Sequence, residues 1–177
     1  NMIVSDNALV PFAGYKQQLE IAGPNGVGRG IYSSSKYNKI VCVINNGVYL
    51  VTVSVDSRGN SVFSSERLNS LATSTGNVFI AENNAGQIAI CDRQNIYIFN
   101  YVAGSFTKLT PADLGFLPGY ISFHETYFIS VDRTPNANSG QIWRLSASND
   151  GTSWPATSFN YGGFQLKADV TTAVIPM

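Results

Sequence analysis

The chain writes one template three times. "KIVCVINNGVYLV", residues 39 to 51, returns forty-eight positions later as "QIAICDRQNIYIF", residues 87 to 99. A looser third copy joins "TYFISVD" (126 to 132) to "QIWRLSA" (141 to 147) across a Pro/Asn/Ser turn, which sets Trp143 where Tyr49 and Tyr97 stand. Each copy is an apolar run, a polar turn and a short strand bearing an aromatic, the pattern of a β-hairpin. A period of about 46 to 48 residues signals a propeller or a solenoid.

The flanks repeat as well. A short strand precedes each hairpin: "RGIYSS" from Arg29, "NVFIAE" from Asn77 and "GYISFH" from Gly119. A fourth strand follows each, built on Phe63, Phe106 and Phe159. Four-stranded antiparallel meanders at this period are propeller blades. The expected fold is therefore all-β and β-propeller-like, a single partial propeller domain over residues 1–177. Its blades are expected at about 28–67, 76–110 and 118–160, with 168–177 as the first strand of a fourth. A sandwich of two packed sheets uses the same strand count and is the alternative. Because "IVCVI" and "IAIC" are apolar at successive positions, their strands need cover on both faces. Three blades fall short of the four to eight that close a ring, so the end blades are expected to lean on further sequence or on another chain.

Composition narrows the function. Charged residues are 12% of the chain, against about 25% in ordinary domains, and eleven basic side chains balance eleven acidic ones. No basic patch points to sequence-specific nucleic-acid binding, and no apolar run reaches membrane-span length. Cys42 and Cys91 align with Ile90 and Val43 of the neighbouring copies, which puts the two thiols on opposite faces and predicts that they do not bond. Helix is scarce: "TPADLGFL" offers a Thr110 cap, Pro111 and a stop at Gly115, and "SERLNSLAT" is a second short possibility.

Few residues suggest chemistry. His124 is the one histidine, and its neighbour Glu125 belongs to the same turn. A dyad needs a nucleophile and an orienting carboxylate, so a turn role is expected. "GPNGVGRG" (23 to 30) has the glycine density of a phosphate loop without its Gly-Lys-Ser/Thr ending, and it precedes a strand. "SASNDGTSW" (146 to 154) resembles the Asp-box hairpins of sialidase-type propellers, one residue short between Asp150 and Gly151. Such a box is a folding device, and Arg29, Arg58, Arg67, Arg93, Arg133 and Arg144 fall at unrelated positions of the repeat, so sialidase-type glycosidase chemistry is disfavoured. Tyr32, Tyr37, Tyr101, Tyr120, Tyr161 and Phe164 could stack on sugars as a lectin-like module does. No catalytic, cofactor-binding or metal-binding residue is assigned.

In order, "NALVPFAGYK", "GVGRGIYSSSKYNKIVCVINNGVYLV", "TGNVFIAENNAGQIAICDRQNIYIFN", "GYISFHETYFISVD", "GQIWRLSASNDGTSW" and "DVTTAVIPM" resemble the packaged-DNA stabilisation proteins of P22-like short-tailed phages. In that family an Arg-Gly pair, here Arg29 and Gly30, enters the first blade, and a hairpin like Gly47 to Val51 follows. "PFAGY" departs from the family's tighter Pro-Gly, and the family's members are considerably longer, so the chain matches their N-terminal part. The resemblance implies a structural virion protein of the bacteriophage tail hub, active in head completion, that helps close the portal and retain packaged DNA. It implies a homo-oligomer assembled in the host bacterial cytoplasm, with portal, adaptor and other tail proteins as partners and no enzymatic activity.

Overall fold

The computed structural model describes residues 2–5, 8–11, 17–23, 25–135, 141–161 and 171–175. Strands β1 (Met2–Ser5) and β2 (Ala8–Pro11) form a two-stranded hairpin. Three four-stranded antiparallel sheets follow in chain order. The first holds β3 (Gly28–Ser34), β4 (Lys39–Ile44), β5 (Gly47–Val55) and β6 (Ser61–Ser70). The second holds β7 (Phe79–Glu82), β8 (Gln87–Cys91), β9 (Ile96–Asn100) and β10 (Phe106–Leu109). The third holds β11 (Pro118–His124), β12 (Tyr127–Asp132), β13 (Ile142–Leu145) and β14 (Phe159–Tyr161). No ladder joins one sheet to the next, so the chain forms separate, stacked blades.

Two apolar layers hold the stack. Val41, Val43, Val48 and Leu50 of the first sheet meet Ile88, Ile90, Tyr97 and Phe99 of the second. The opposite face of the second sheet, through Ala89, Cys91, Ile96 and Ile98, meets Ile121 and Phe128 of the third. Every residue of β8 is therefore buried, as a strand apolar at successive positions requires. The link between the second and third sheets is the helix α1 (Pro111–Leu114), capped by reciprocal Thr110–Asp113 hydrogen bonds and ended by Gly115 at φ 74°. That left-handed conformation favours glycine.

Three expectations change. "SERLNSLAT" is no helix; its first six residues continue β6, whose ladder with β5 runs from Val55↔Ser61 to Gly47↔Ser70. Leu68 and Leu71 still reach the core between the first two sheets, and the nine-residue β5 supplies the backbone partners that hold the stretch extended. Trp143 does not share the face of Tyr97. It pairs with Val131, whereas Arg144 pairs with Ser130, two residues along from the inward-facing Phe128. Because side chains alternate, Arg144 points toward the second sheet and Trp143 points away. Finally, residues 171–175 carry no strand, and the remainder of the proposed fourth-blade strand, 168–170 and 176–177, lies outside the described residues.

The end faces differ from each other. On the outer face of the first sheet Ile31 is 74% exposed and Val51 is buried, while Cys42 is buried beside a hollow of about 640 Å³ lined also by Leu19 and Ile21. On the outer face of the third sheet Ile129 and Val131 are 8% and 1% exposed. The expected bare apolar face therefore fails for the third sheet.

Both cysteines are free and buried. Burial pushes the Cys91 thiol up to about 12 and raises Cys42 as well. Since the thiolate is the reactive form, Cys91 is expected to resist a thiol-specific reagent at mildly alkaline pH in the folded protein. It is expected to label at once in denaturant. Rapid native labelling of Cys91 would contradict the sheet stacking around it.

Candidate functional site

Polar side chains form two latches, one between the first sheet and the segment entering the second, the other within the third sheet. Arg29, 7% exposed on β3, spends all five guanidinium N–H groups on the segment that leads into the second sheet and on the β4–β5 turn. Nε donates to the Gly76 carbonyl at 2.6 Å, and Nη1 donates to Asn45 O at 2.9 Å and Thr73 O at 2.7 Å. Nη2 donates to Thr73 Oγ1 at 2.8 Å and Thr75 O at 2.7 Å. Thr73 Oγ1 passes a bond to Asp92 Oδ2 at 3.1 Å, which the Tyr97 hydroxyl also reaches at 3.1 Å. Burial lowers the Arg29 pKa, and the charge of Asp92 opposes that shift. The neighbouring Gly30 is needed for contact, because a Cβ there would stand 2.6 Å from Val78 Cγ2.

The third sheet carries the second latch. Arg144 Nε and Nη2 each lie 3.0 Å from Asp132 Oδ2, with Asp132 2% exposed. The guanidinium lies against the rings of Phe116 and Phe159, at 5.7 and 5.1 Å from their centroids. These contacts are structural and leave Arg144 no role in an arginine cluster. Arg67 bonds Ser70, and Arg133 reaches the Arg93 carbonyl at 3.3 Å.

The "SASNDGTSW" segment forms a tight turn that docks on the second sheet. Asp150 Oδ1 accepts the Thr152 N–H at 2.9 Å and its hydroxyl at 2.7 Å, and Trp154 Nε1 donates to Gly151 O at 2.8 Å. Burial raises the Asp150 carboxyl pKa, but the hydrogen bonds from Thr152 and Gln87 outweigh it and leave the pKa below its usual value. Gly151 donates to Gln87 Oε1 at 2.8 Å, and a Cβ at this position would stand 2.8 Å from both Ile98 Cδ1 and Phe128 Cε2. Gly151→Ala is therefore expected to cost about 1–3 kcal/mol through overpacking. A urea melt reads it, and an unchanged midpoint would show that the turn does not touch the second sheet.

The other sequence candidates do not converge. His124 is exposed, 3.9 Å from Glu125 at the β11–β12 turn. The glycine-rich segment closes a turn, Gly26 N to Gly23 O, before entering β3. Among the described residues no three His, Cys, Asp or Glu side chains gather to hold a metal. Among the described residues no helix is long and apolar enough to cross a membrane. Tyr37 stacks on Tyr101 at 4.5 Å, and Tyr120 packs on Phe79 at 4.7 Å, so neither pair is a bare platform. The side chains of Tyr161 and Phe164 lie outside the described residues.

Sequence reasoning missed a groove of about 300 Å³ where the first strands β3, β7 and β11 converge. Tyr32, Ile80, Glu82, Tyr120, Ser122 and Phe123 are among its lining. Glu82 Oε1 accepts the Ser34 hydroxyl at 3.0 Å, whereas Glu82 Oε2 and Ser122 Oγ are buried without a hydrogen-bond partner. Burial, then the charge of Glu82, raises the pKa of both Tyr32 and Tyr101. Ser34 and Glu82 stand forty-eight residues apart, as do Lys36 and Asn84, whose side chain and carbonyl meet at 2.9 Å. Polar residues at the repeat offset on the first strands were the signal for this contact, since stacked repeats bring equivalent positions together.

No protein-family model matches the chain, and no curated protein matches it either. Among solved structures, the WD40 domain of Neurospora crassa Pan2 is similar with a TM-score of 0.45 and 8% sequence identity over 76% of this chain. The chain spans 36% of that structure's length.

Proposed function

We propose that the chain is a non-enzymatic structural module of a bacteriophage tail or head-completion hub, a blade stack that helps close the portal and retain packaged DNA. In this reading it works in several copies in the virion, seated against portal, adaptor and other tail proteins after assembly in the bacterial cytoplasm. One observation supports it above others. The Arg29–Gly30 pair, one element of the phage resemblance, is the same pair that fastens the first blade to the segment entering the second, through four hydrogen bonds and a close approach to Val78. Fastening of this kind asks for no catalytic group. The polar investment of the described chain goes the same way, into the Arg29, Gln87 and Arg144 contacts that join or brace blades. The test is co-sedimentation of the purified protein with a portal–adaptor complex from a short-tailed phage, beside a glycan array. Saturable binding to the complex with a silent array is the expected result. A reproducible glycan hit without portal binding would replace this reading with a lectin.

A further inference from the structure

We propose that the outer edge of β6 pairs antiparallel with β6 of a second copy of this chain, about a two-fold axis at Ser65. β6 ends the strand order of the first sheet and is ten residues long, against four for β10 and three for β14, the fourth strands of the other sheets. Sheets in this stack cover one another on their faces, so the edge of β6 stays on the rim whichever chain packs on the first sheet's outer face.

The β5–β6 ladder fixes which backbone groups face outward. Val53 donates its N–H to Asn38 O at 3.1 Å, toward β4. Its β6 partner Phe63 therefore stands in a pair that exchanges no hydrogen bonds, and turns its own N–H and C=O to the open side. Alternation extends this to Ser61, Ser65 and Arg67. Among the described residues no backbone hydrogen bond reaches these four from outside the ladder. The register shift opposite Val48 and Tyr49 falls beyond Arg67, so the row from Ser61 to Arg67 is unbroken. An open row of this kind is a template for another strand, and β6 carries neither the proline nor the lysine that blunts such edges.

The side chains choose a second copy and its register. Outward-facing groups meet only when odd-numbered residues stand opposite odd-numbered residues. Pairing about Ser65 sets Arg67 opposite Phe63 of the second copy, and symmetry makes that cation–aromatic contact twice. Glu66 then stands opposite a serine, Ser64 of the second copy. Pairing about Glu66 would bring two carboxylates face to face, which is destabilising, and pairing about Ser64 would set Glu66 opposite Val62 and leave Arg67 opposite Ser61. Ser64, Ser65, Glu66 and Arg67 are all exposed, and Phe63 is half-buried. The inference stands apart from the phage reading, because it rests on the strand edge alone.

The experiment is sedimentation velocity of the full chain across a concentration series, and a reversible monomer–dimer equilibrium is expected. Ser65→Pro removes a donor that faces away from β5, so it is expected to weaken the dimer at least about tenfold while keeping a cooperative melt. Should that variant fail to fold, Arg67→Glu leaves the backbone intact and is expected to weaken the dimer severalfold. Mild oxidation of Ser65→Cys should give a disulfide-linked dimer, since residues paired at the axis have Cα atoms about 5.5 Å apart. Ser61→Cys, far from the axis, should not cross-link, and the native Cys42 and Cys91 are buried. A monomer at every concentration, an unchanged dimer in the variant that folds, or cross-linking of Ser61→Cys as readily as Ser65→Cys would each overturn the proposal.

Discussion

Arg29→Met is expected to lower the stability of the folded chain by about 3–5 kcal/mol, the range for breaking a buried charged contact from one side. Methionine keeps much of the apolar stem but none of the five donors. The carbonyls of Asn45, Thr73, Thr75 and Gly76 then lose the guanidinium that satisfies them, and each acceptor left buried costs about 1–3 kcal/mol before relaxation and water entry reduce the sum. Thr73 also loses the bond that orients it toward Asp92. Arg29→Lys should recover only part of the loss, because one ammonium with three donors cannot reach carbonyls arranged around a planar fork. Urea melts of the three proteins measure this. A loss below about 1 kcal/mol for Arg29→Met would mean that the guanidinium bonds contribute little to joining the first two sheets.

Tyr97→Ala is expected to cost a further large amount, about 3–5 kcal/mol for the deleted ring. The ring is 1% exposed, packs in the layer between the first and second sheets, and lies 5.9 Å from Phe106. Its hydroxyl accepts the Ala72 N–H at 2.7 Å and donates to Asp92 at 3.1 Å. Tyr97→Phe isolates that polar share and should cost about 1–2 kcal/mol. Tyr49→Ala should cost less than Tyr97→Ala, since the half-buried Tyr49 lies on the first sheet's outer face. The hydroxyl also carries a pH signature. Burial, first, raises its pKa, the Ala72 hydrogen bond opposes that, and the charge of Asp92 adds to it, with the result pushed up to about 12 from 10.0. A raised phenol favours the neutral form in the folded state, so its contribution is full below about pH 10 and is lost as pH rises toward about 12. Tyr97→Phe should lose less stability than the parent across that window, and equal alkaline losses would contradict the hydrogen-bonded geometry.

The stacking of blades was legible because each signal is local or strictly periodic. Alternation set the faces of β4 and β8, the apolar runs on both faces of β8 announced its two-sided burial, and Thr110, Pro111 and Gly115 marked the short helix. Trp143 was misplaced for a physical reason: the segment between Asp132 and Ile142 is longer than its counterparts, and a one-residue error in aligning across it turns every side chain to the other face. The groove was harder still. The repeat offset points from Glu82 to Ser34, but nothing in the sequence brings Tyr120 of the next blade to the same groove. The same holds for Arg29, whose partners at Thr73 to Gly76 lie more than forty residues away. Charge complementarity between stacked sheets is a property of the stack, and composition cannot display it.

The most direct test of the stack is a set of nuclear Overhauser contacts in methyl- and aromatic-labelled protein. The predicted result is contact of Ile98 with the Phe128 ring and Gly151, contact of Val43 and Val48 with Ile90 or Tyr97, and backbone cross-strand contacts confined to strands within each sheet. Cross-strand backbone contacts between β6 and β7, or between β10 and β11, would show one continuous ladder in place of three separate sheets, and would contradict the blade architecture outright.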